Sequence, residues 1–403
     1  MAGEGGTAAR PRVLSRKILH VRSSRSVAGP EHHLLELLPG LGAHGIAAEV
    51  ALLYRRRPGE SAEHPLLGML AEVGIPAFQV ADSGRLGLAA RRVLADRLRR
   101  GDLVALHGHD PKSDWVISRV VGEPGLETTF HQVVRRFATL HLHTCTTLPL
   151  RLYRRIDLRL LRRFDGGIAV SAALAAELAA GSPRRGGGPW RVIPNGVDGP
   201  RLRARAAAAL PAVRAELAAL GADGGGPVLV AAGRLTHQKG LDLLLDALPA
   251  VVARHPRLLL LIAGAGPEGA ALERQVERLE LGNRVRFLGE RRDVEGLLAA
   301  ADGVVLPSRR EGSPYLLLEA MALAVPIVAA AVGGVGEMLG EGRDGLLVPA
   351  GDREALAARI ATLLEDPGAA RRRAERAREA VAGRLAAARM TAETAAFYAE
   401  ALA

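Results

Sequence analysis

Glu311 and Glu319, two carboxylates eight positions apart, flank a helix opening in the stretch RREGSPYLLLEAMALAVP, Arg309 to Pro326. Ser313 followed by Pro314 predicts that opening, because serine can cap and proline is pre-set for the first helical position. The helix should run from Pro314 to about Ala324. The N–H groups of Tyr315 and Leu316 then lack acceptors inside the helix, and with the helix dipole they form a site for a phosphate oxygen. Glu311 falls in the loop before that site, and Glu319 should face out from the second turn. A carboxylate accepts hydrogen bonds from two neighbouring hydroxyls, so this arrangement suits a sugar on either side of a diphosphate, the make-up of a nucleotide sugar. The same spacing also fits a surface loop entering a buried helix with two incidental glutamates.

A second set of charges is suited to the same ligand. VLVAAGRLTHQKGLDLLLDAL, from Val228, reads as strand, loop and helix, and the loop carries Arg234 and Lys239. An arginine can fork onto two phosphate oxygens while a lysine adds a point charge. Lysine occurs only at 17, 112 and 239, so Lys239 stands out against a strong bias for arginine. Histidines form a third set. HGHDPKSDW places His107, His109, Asp110 and Lys112 at the carboxyl end of a parallel strand, where ligands bind in such sheets. Two histidines two apart suggest a metal, but no pattern positions a third and fourth ligand, so no metal site is expected. RFATLHLH, Arg136 to His143, reads as another buried strand, with His141 and His143 on one face by alternation.

EGSPYLLLEAMA resembles the Glu, seven residues, Glu signature of retaining glycosyltransferases with the GT-B fold, family 4, the glycogen-synthase-like group 1 branch. The resemblance spans about Lys17 to Glu365 and is strongest from Val228 to Pro349. It implies that Glu311, with Gly312 and Ser313, lies by the donor sugar and that Glu319 holds the ribose. The family more often has a bulky apolar residue where this chain has Ser313. The GRL…KG pattern resembles the family's diphosphate clamp, which implies Arg234 and Lys239 beside Pro314, Tyr315 and Leu316. The loop Gly289, Glu290, Arg291 would border the nucleotide base. His141, with His143 as second choice, would be the histidine beside the reaction centre, acting with Glu311. Gly29, in a Gly-Pro pair where the family has two glycines, and His109 with Lys112 would face the acceptor or a phosphate in the cleft.

These sites need a scaffold, and the alternation of strands and helices supplies one. It predicts an α/β protein with two Rossmann-like doubly wound domains, 1–205 and 206–403, and the resemblance implies that they face each other as a GT-B pair, the first on the acceptor side and the second holding the nucleotide sugar. The Ala- and Arg-rich stretch from Arg201 to Leu220 and GADGGGP read as linker. By resemblance the last helix, about 384–403, crosses back onto the first domain. The activity that the resemblance implies is retaining, nucleotide-sugar-dependent hexosyl transfer to a glycan, glycolipid or small molecule, by front-face attack with the leaving diphosphate taking the acceptor's proton. No Asp-x-Asp occurs, so a metal-independent reaction without a cofactor is expected. Two alternatives are a nucleotide-sugar 2-epimerase of the same fold and a non-catalytic lipid- or glycan-binding partner of a glycosylation complex.

Composition narrows the setting. The chain has 403 residues, 48% of them apolar, enough for two cores. The single cysteine, Cys145, excludes a disulfide framework. MAGEGGTAARPRVLSR lacks the apolar core of a signal peptide, and no run is long enough to span a membrane, so a cytoplasmic protein is expected. Residues 1–200 hold 28 Lys+Arg against 18 Asp+Glu, and the remainder 26 against 25, so nearly all of the +11 net charge sits in the first half. Such a half suits an anionic partner, and with aromatics at 3% nucleic acid is not that partner. Leu150 to Phe164, LRLYRRIDLRLLRRF, predicts a helix burying Leu150, Tyr153, Ile156, Leu160 and Phe164, whose arginines face water or an anionic lipid surface.

Overall fold

A computed structural model describes residues 16–57, 59–81, 87–121, 133–142, 148–180, 188–220 and 225–403. Short apolar runs such as LLLIA are buried on both faces, as parallel strands covered by helices must be. The first unit holds β1 (Arg16–Ser23), β2 (Ile46–Tyr54), β3 (Ala77–Ala81), β4 (Leu103–Gly108), β5 (Arg135–Leu140), β6 (Gly166–Ala169) and β7 (Trp190–Val192). They pair in parallel in the order β3-β2-β1-β4-β5-β6-β7. The second unit holds β8 (Val228–Ala232), β9 (Leu259–Ala263), β10 (Val285–Gly289), β11 (Gly303–Leu306), β12 (Ile327–Ala330) and β13 (Leu346–Val348), in the order β10-β9-β8-β11-β12-β13. Strand order therefore reverses between β1 and β4, and again between β8 and β11. Such switch points open a crevice at the carboxyl ends of the strands, and the loops that follow these four strands carry most of the candidate residues.

The stretch expected as linker is instead a helix, Gly199–Ala219, capped by the Asp198 carboxylate on the Arg201 N–H. Alanine-rich sequence favours a helix, and here Val213 and Leu217 are buried in the second unit's core. Position 205 thus lies inside that helix, and the chain passes between units just before it. It returns after the helix Pro367–Ala382. The last helix, Ala387–Ala401, packs on the helix Gly29–Leu41 and buries Met390, Phe397 and Tyr398 in the first unit's core. The two passages lie side by side, with Val197 bonded to Leu385 and Ala387.

The arginine-rich helix spans Leu148–Leu161 and turns a different face inward from the one expected. Asp157, Leu158, Leu161 and Phe164 are buried, while Leu152 and Tyr153 are 58% and 44% exposed and Ile156 is 42% exposed. Two overlapping apolar stripes were open to this sequence, and packing against the helix Pro111–Val120 selects the second. No helix among the described residues is long and apolar enough to cross a membrane.

Candidate active site

After β11 the chain runs through Pro307 to Pro314 and enters the helix Tyr315–Ala322. Pro314 is extended, with φ −72° and ψ 129°, so the proline is the N-cap rather than the first helical residue, and the helix ends two residues earlier than expected. Ser313 does not cap it, since its Oγ lies 3.5 Å from Met338 Sδ. Leu317 and Leu318 N–H donate to the Pro314 carbonyl, which leaves the Tyr315 and Leu316 N–H groups at the helix mouth. The Tyr315 hydroxyl is buried without a partner among the described residues, and burial pushes it well above its ordinary pKa.

Glu311 is 6% exposed, and its Oε1 accepts from Lys239 Nζ at 2.7 Å and from Ser308 Oγ at 2.7 Å. Lys239 is carried by the loop after β8, which is fastened to the Glu311 loop. Arg309 forks onto Asp242 at 2.7 and 2.6 Å, and its N–H donates to Gln238 O at 2.8 Å. Arg234 opens the same loop with its side chain exposed. A shallow open concavity, lined by Gly233, Lys239, Pro307, Ser308 and Leu316 among others, lies at this β8–β11 switch point.

Two elements of the first unit close on this loop. A Cβ on Gly312 would fall 2.0 Å from the His141 carbonyl oxygen, so only glycine allows the two units to touch there. Asn195, from the loop after β7, donates through Nδ2 to Ser313 O at 2.7 Å. Gly29 opens its own helix opposite the Tyr315 helix, and a Cβ there would sit 4.0 Å from Tyr315 Cδ2. The start of the Gly29 helix thus packs beside the Tyr315 side chain, and each helix N-terminus favours an anion.

Behind Gly312 lies a row of imidazoles. His20 on β1 pairs with His107 on β4 in the sheet register, and their rings stack at 5.2 Å. His20 Nδ1 lies 2.9 Å from His109 Nε2, and His109 Nδ1 lies 3.3 Å from His141 Nε2. His107 is held by Thr139 Oγ1 at 2.8 Å and by the Tyr398 hydroxyl at 2.6 Å. Burial holds all of these rings below the ordinary histidine pKa, His20 at about 3. His141 is reached just past the end of β5, so strand alternation does not set its direction, and His143 lies outside the described residues. Sequence reasoning passed over His20, His33 and Tyr398. The first is legible as a polar residue inside an apolar strand; the other two become neighbours only through the fold.

The remaining candidates are spread around the cleft. Glu319 does not simply face outwards. It is half-buried near Glu295, Arg205 and Glu36, and loss of water, then the Glu295 charge, pushes its carboxyl up to about 8. Arg291 is committed elsewhere, to Glu216 at 2.7 and 2.8 Å and to Asp293 at 2.9 Å, so it anchors its loop to the helix Gly199–Ala219. Gly289 and Glu290 are exposed beside it. Lys112 is half-buried in the first turn of the helix Pro111–Val120, which Asp110 caps through the N–H groups of Lys112 and Ser113. Arg22 ties Asp110 to the buried Glu31 of the Gly29 helix, at 3.5 and 2.7 Å.

Known proteins share this plan. The chain matches the family model described as glycosyl transferases group 1 over residues 213–380, and that of glycosyltransferase family 4 over residues 27–199. It is 30% identical over 305 residues to the glycogen synthase of Mycobacterium tuberculosis, covering 73% of this chain and 68% of that one. Against the lipopolysaccharide core mannosyltransferase LpsB of Rhizobium meliloti it is 34% identical over 215 residues, 51% and 57% of the two chains. Among solved structures, HepE of Anabaena, in complex with UDP-glucose, superposes with a TM-score of 0.76 at 24% identity over 95% of this chain and 99% of that one. Sucrose-phosphate synthase of Thermosynechococcus elongatus gives 0.73 at 23% identity over 96% and 98%.

Proposed function

Because the chain belongs to the group 1 glycosyltransferases of family 4 and has their two-unit GT-B fold, we propose that it moves a hexose or related sugar, with retention, from a nucleoside diphosphate sugar. The observation that carries this reading is the enclosed contact of Lys239 with Glu311 beside the mouth of the Tyr315 helix. The diphosphate lies at the mouth of the Tyr315 helix, with Arg234 and Lys239 on its oxygens. Charge that develops on the leaving group is met there by fixed donors, without a metal bridge. Glu311 contacts the donor sugar and Glu319 the ribose hydroxyls, while the exposed Gly289–Glu290 edge borders the base. His141 stands where the acceptor hydroxyl approaches. Its proton passes to the departing diphosphate oxygen as the new glycosidic bond forms on the same face.

The acceptor is a lipid-linked glycan. This finer reading rests on the exposed face of the Leu148–Leu161 helix, where Leu152, Tyr153 and Ile156 lie beside the exposed Arg155, Arg159 and, just beyond the helix, Arg163. The mixture suits insertion at an anionic interface. Arg154 and Arg162, expected to share this role, are turned away: Arg154 binds Glu177 at 2.5 Å and Arg162 is half-buried. Arg151 has a side chain outside the described residues.

The decisive experiment measures binding and hydrolysis of UDP-, GDP- and ADP-sugars, with and without chelator, and reads the product's anomeric configuration by NMR. Consumption of one donor with the configuration kept, and no loss to chelator, is expected. Inversion, 2-epimerisation of the nucleotide sugar, or loss restored by Mg²⁺ overturns the reading.

A further inference from the structure

His33, on the second turn of the Gly29–Leu41 helix, reaches the row of imidazoles from the side. Its Nδ1 lies 2.9 Å from Asn195 Oδ1. Asn195 uses its Nδ2 to donate to Ser313 O at 2.7 Å, so the amide oxygen is the end that faces His33. Nδ1 must therefore carry the proton and donate, which leaves Nε2 as a bare lone pair. That Nε2 is buried and has no partner among the described residues. An acceptor orphaned inside a protein is destabilising unless something fills it.

The His33 ring meets His141 edge to face at a centroid distance of 4.7 Å and lies 5.7 Å from His109. One ring nitrogen from each of His33, His109 and His141 lies within 4.8 Å of the others. A tetrahedral ion with bonds of ~2.1 Å holds its ligand atoms ~3.4 Å apart. The His109–His141 pair already has that separation, at 3.3 Å, and His33 needs only to swing inward. Two of the three ligands also have a partner behind them. Asn195 orients His33, and His20 Nδ1 accepts from His109 Nε2 once His109 Nδ1 is a ligand. Metal-bound histidines are held by such backing contacts.

We propose that His33, His109 and His141 form a three-imidazole site for a divalent transition metal of the Zn²⁺ type, with a fourth position left for water or a hydroxyl. The ion takes the place of the proton shared by His109 Nδ1 and His141 Nε2. Each neutral imidazole offers one ring lone pair to such an ion. Imidazole ligands select the later first-row ions, and Mg²⁺ is not a competitor. All three ligands belong to the first unit, whereas Arg234 and Lys239 belong to the second. An ion there engages His141 and inhibits transfer.

The test uses the untagged full chain and Co²⁺ as a spectroscopic probe displaced by Zn²⁺. One equivalent of Co²⁺ should develop the visible bands of a four-coordinate ion. His33→Gln should weaken binding at least tenfold, whereas replacing the exposed His237 should not. X-ray absorption on the Zn²⁺-loaded wild type counts the ligands directly, whether or not a variant folds, and three imidazoles are expected. Absence of the bands, unchanged affinity in a folded His33→Gln protein, or fewer than three imidazoles overturns the site. None of these readouts depends on sugar transfer, so failure of the donor assays leaves the metal result standing.

Discussion

Lys239 Nζ lies 2.7 Å from Glu311 Oε1 although the two residues are 72 positions apart, and Ser308 Oγ donates to the same oxygen. A residue assigned to the diphosphate thus donates directly to one assigned to the sugar. Lys239 neutralises a carboxylate that would otherwise repel the donor, and the carboxylate holds the ammonium at the β8–β11 crevice. Glu311→Gln should therefore abolish most turnover while nucleoside diphosphate affinity is kept or rises, because Lys239 is released toward phosphate. Donor consumption and calorimetry on one preparation check it. Unchanged turnover would move the reacting centre away from Glu311.

Replacing Arg234 and Lys239 together by alanine removes two charge-assisted contacts, each worth roughly 1.5–3 kcal/mol. Nucleoside diphosphate affinity should fall a hundredfold or more. Calorimetry showing affinity within about threefold of wild type sinks the assignment. A melting curve guards against the trivial outcome, since Glu311 loses its partner in this variant.

Glu319 offers a test by pH. Loss of water, reinforced by Glu295, raises its carboxyl from the usual 4.5 to about 8, so the folded chain keeps a proton that the unfolded chain has already released. Stability from this group is therefore lost as pH rises between those values. Glu319→Gln removes the titration, so its melting temperature should exceed wild type by an amount that grows from pH 5 to pH 8, reaching ~1–3 °C. Nucleoside diphosphate binding should weaken in the same variant. A gap that shrinks with pH counts against the crowded setting of the carboxyl.

The exposed face of the Leu148–Leu161 helix predicts two separable effects on vesicles. Leu152→Ser with Ile156→Ser should lower co-sedimentation on any lipid. Arg155, Arg159 and Arg163 changed to glutamine should lower it only on anionic lipid, by roughly 1 kcal/mol per charge, and less as salt shortens the Debye length. No binding at low salt, or equal binding to neutral and anionic vesicles, leaves a soluble acceptor as the better reading.

Tightening the seam gives a fifth test. Gly312→Ala puts a methyl group 2.0 Å from the His141 carbonyl, so the units must part or the loop must shift. Transfer should fall at least tenfold because donor and acceptor sides lose register. Activity within twofold of wild type would mean that the contact is not needed.

By itself the sequence determined the alternation of buried strands and helices, the helix opening after Glu311, and the cation-bearing loop after β8. These are local matters, set by apolar period, proline and glycine placement and charge. Even there the cap moved to Pro314, and alanine-rich sequence read as linker became a helix, because capping geometry and burial against a second element outweigh residue type. Tertiary structure alone decided which stripe of the Leu148–Leu161 helix is buried, since two overlapping stripes satisfy the same periodicity. It also decided that Arg291 is consumed by Glu216 and that Lys239 meets Glu311. The convergence of His33, His109 and His141 belongs to this second kind. A helix, a strand end and a loop supply one imidazole each, and only the facing of sheet and helix brings the lone pairs together.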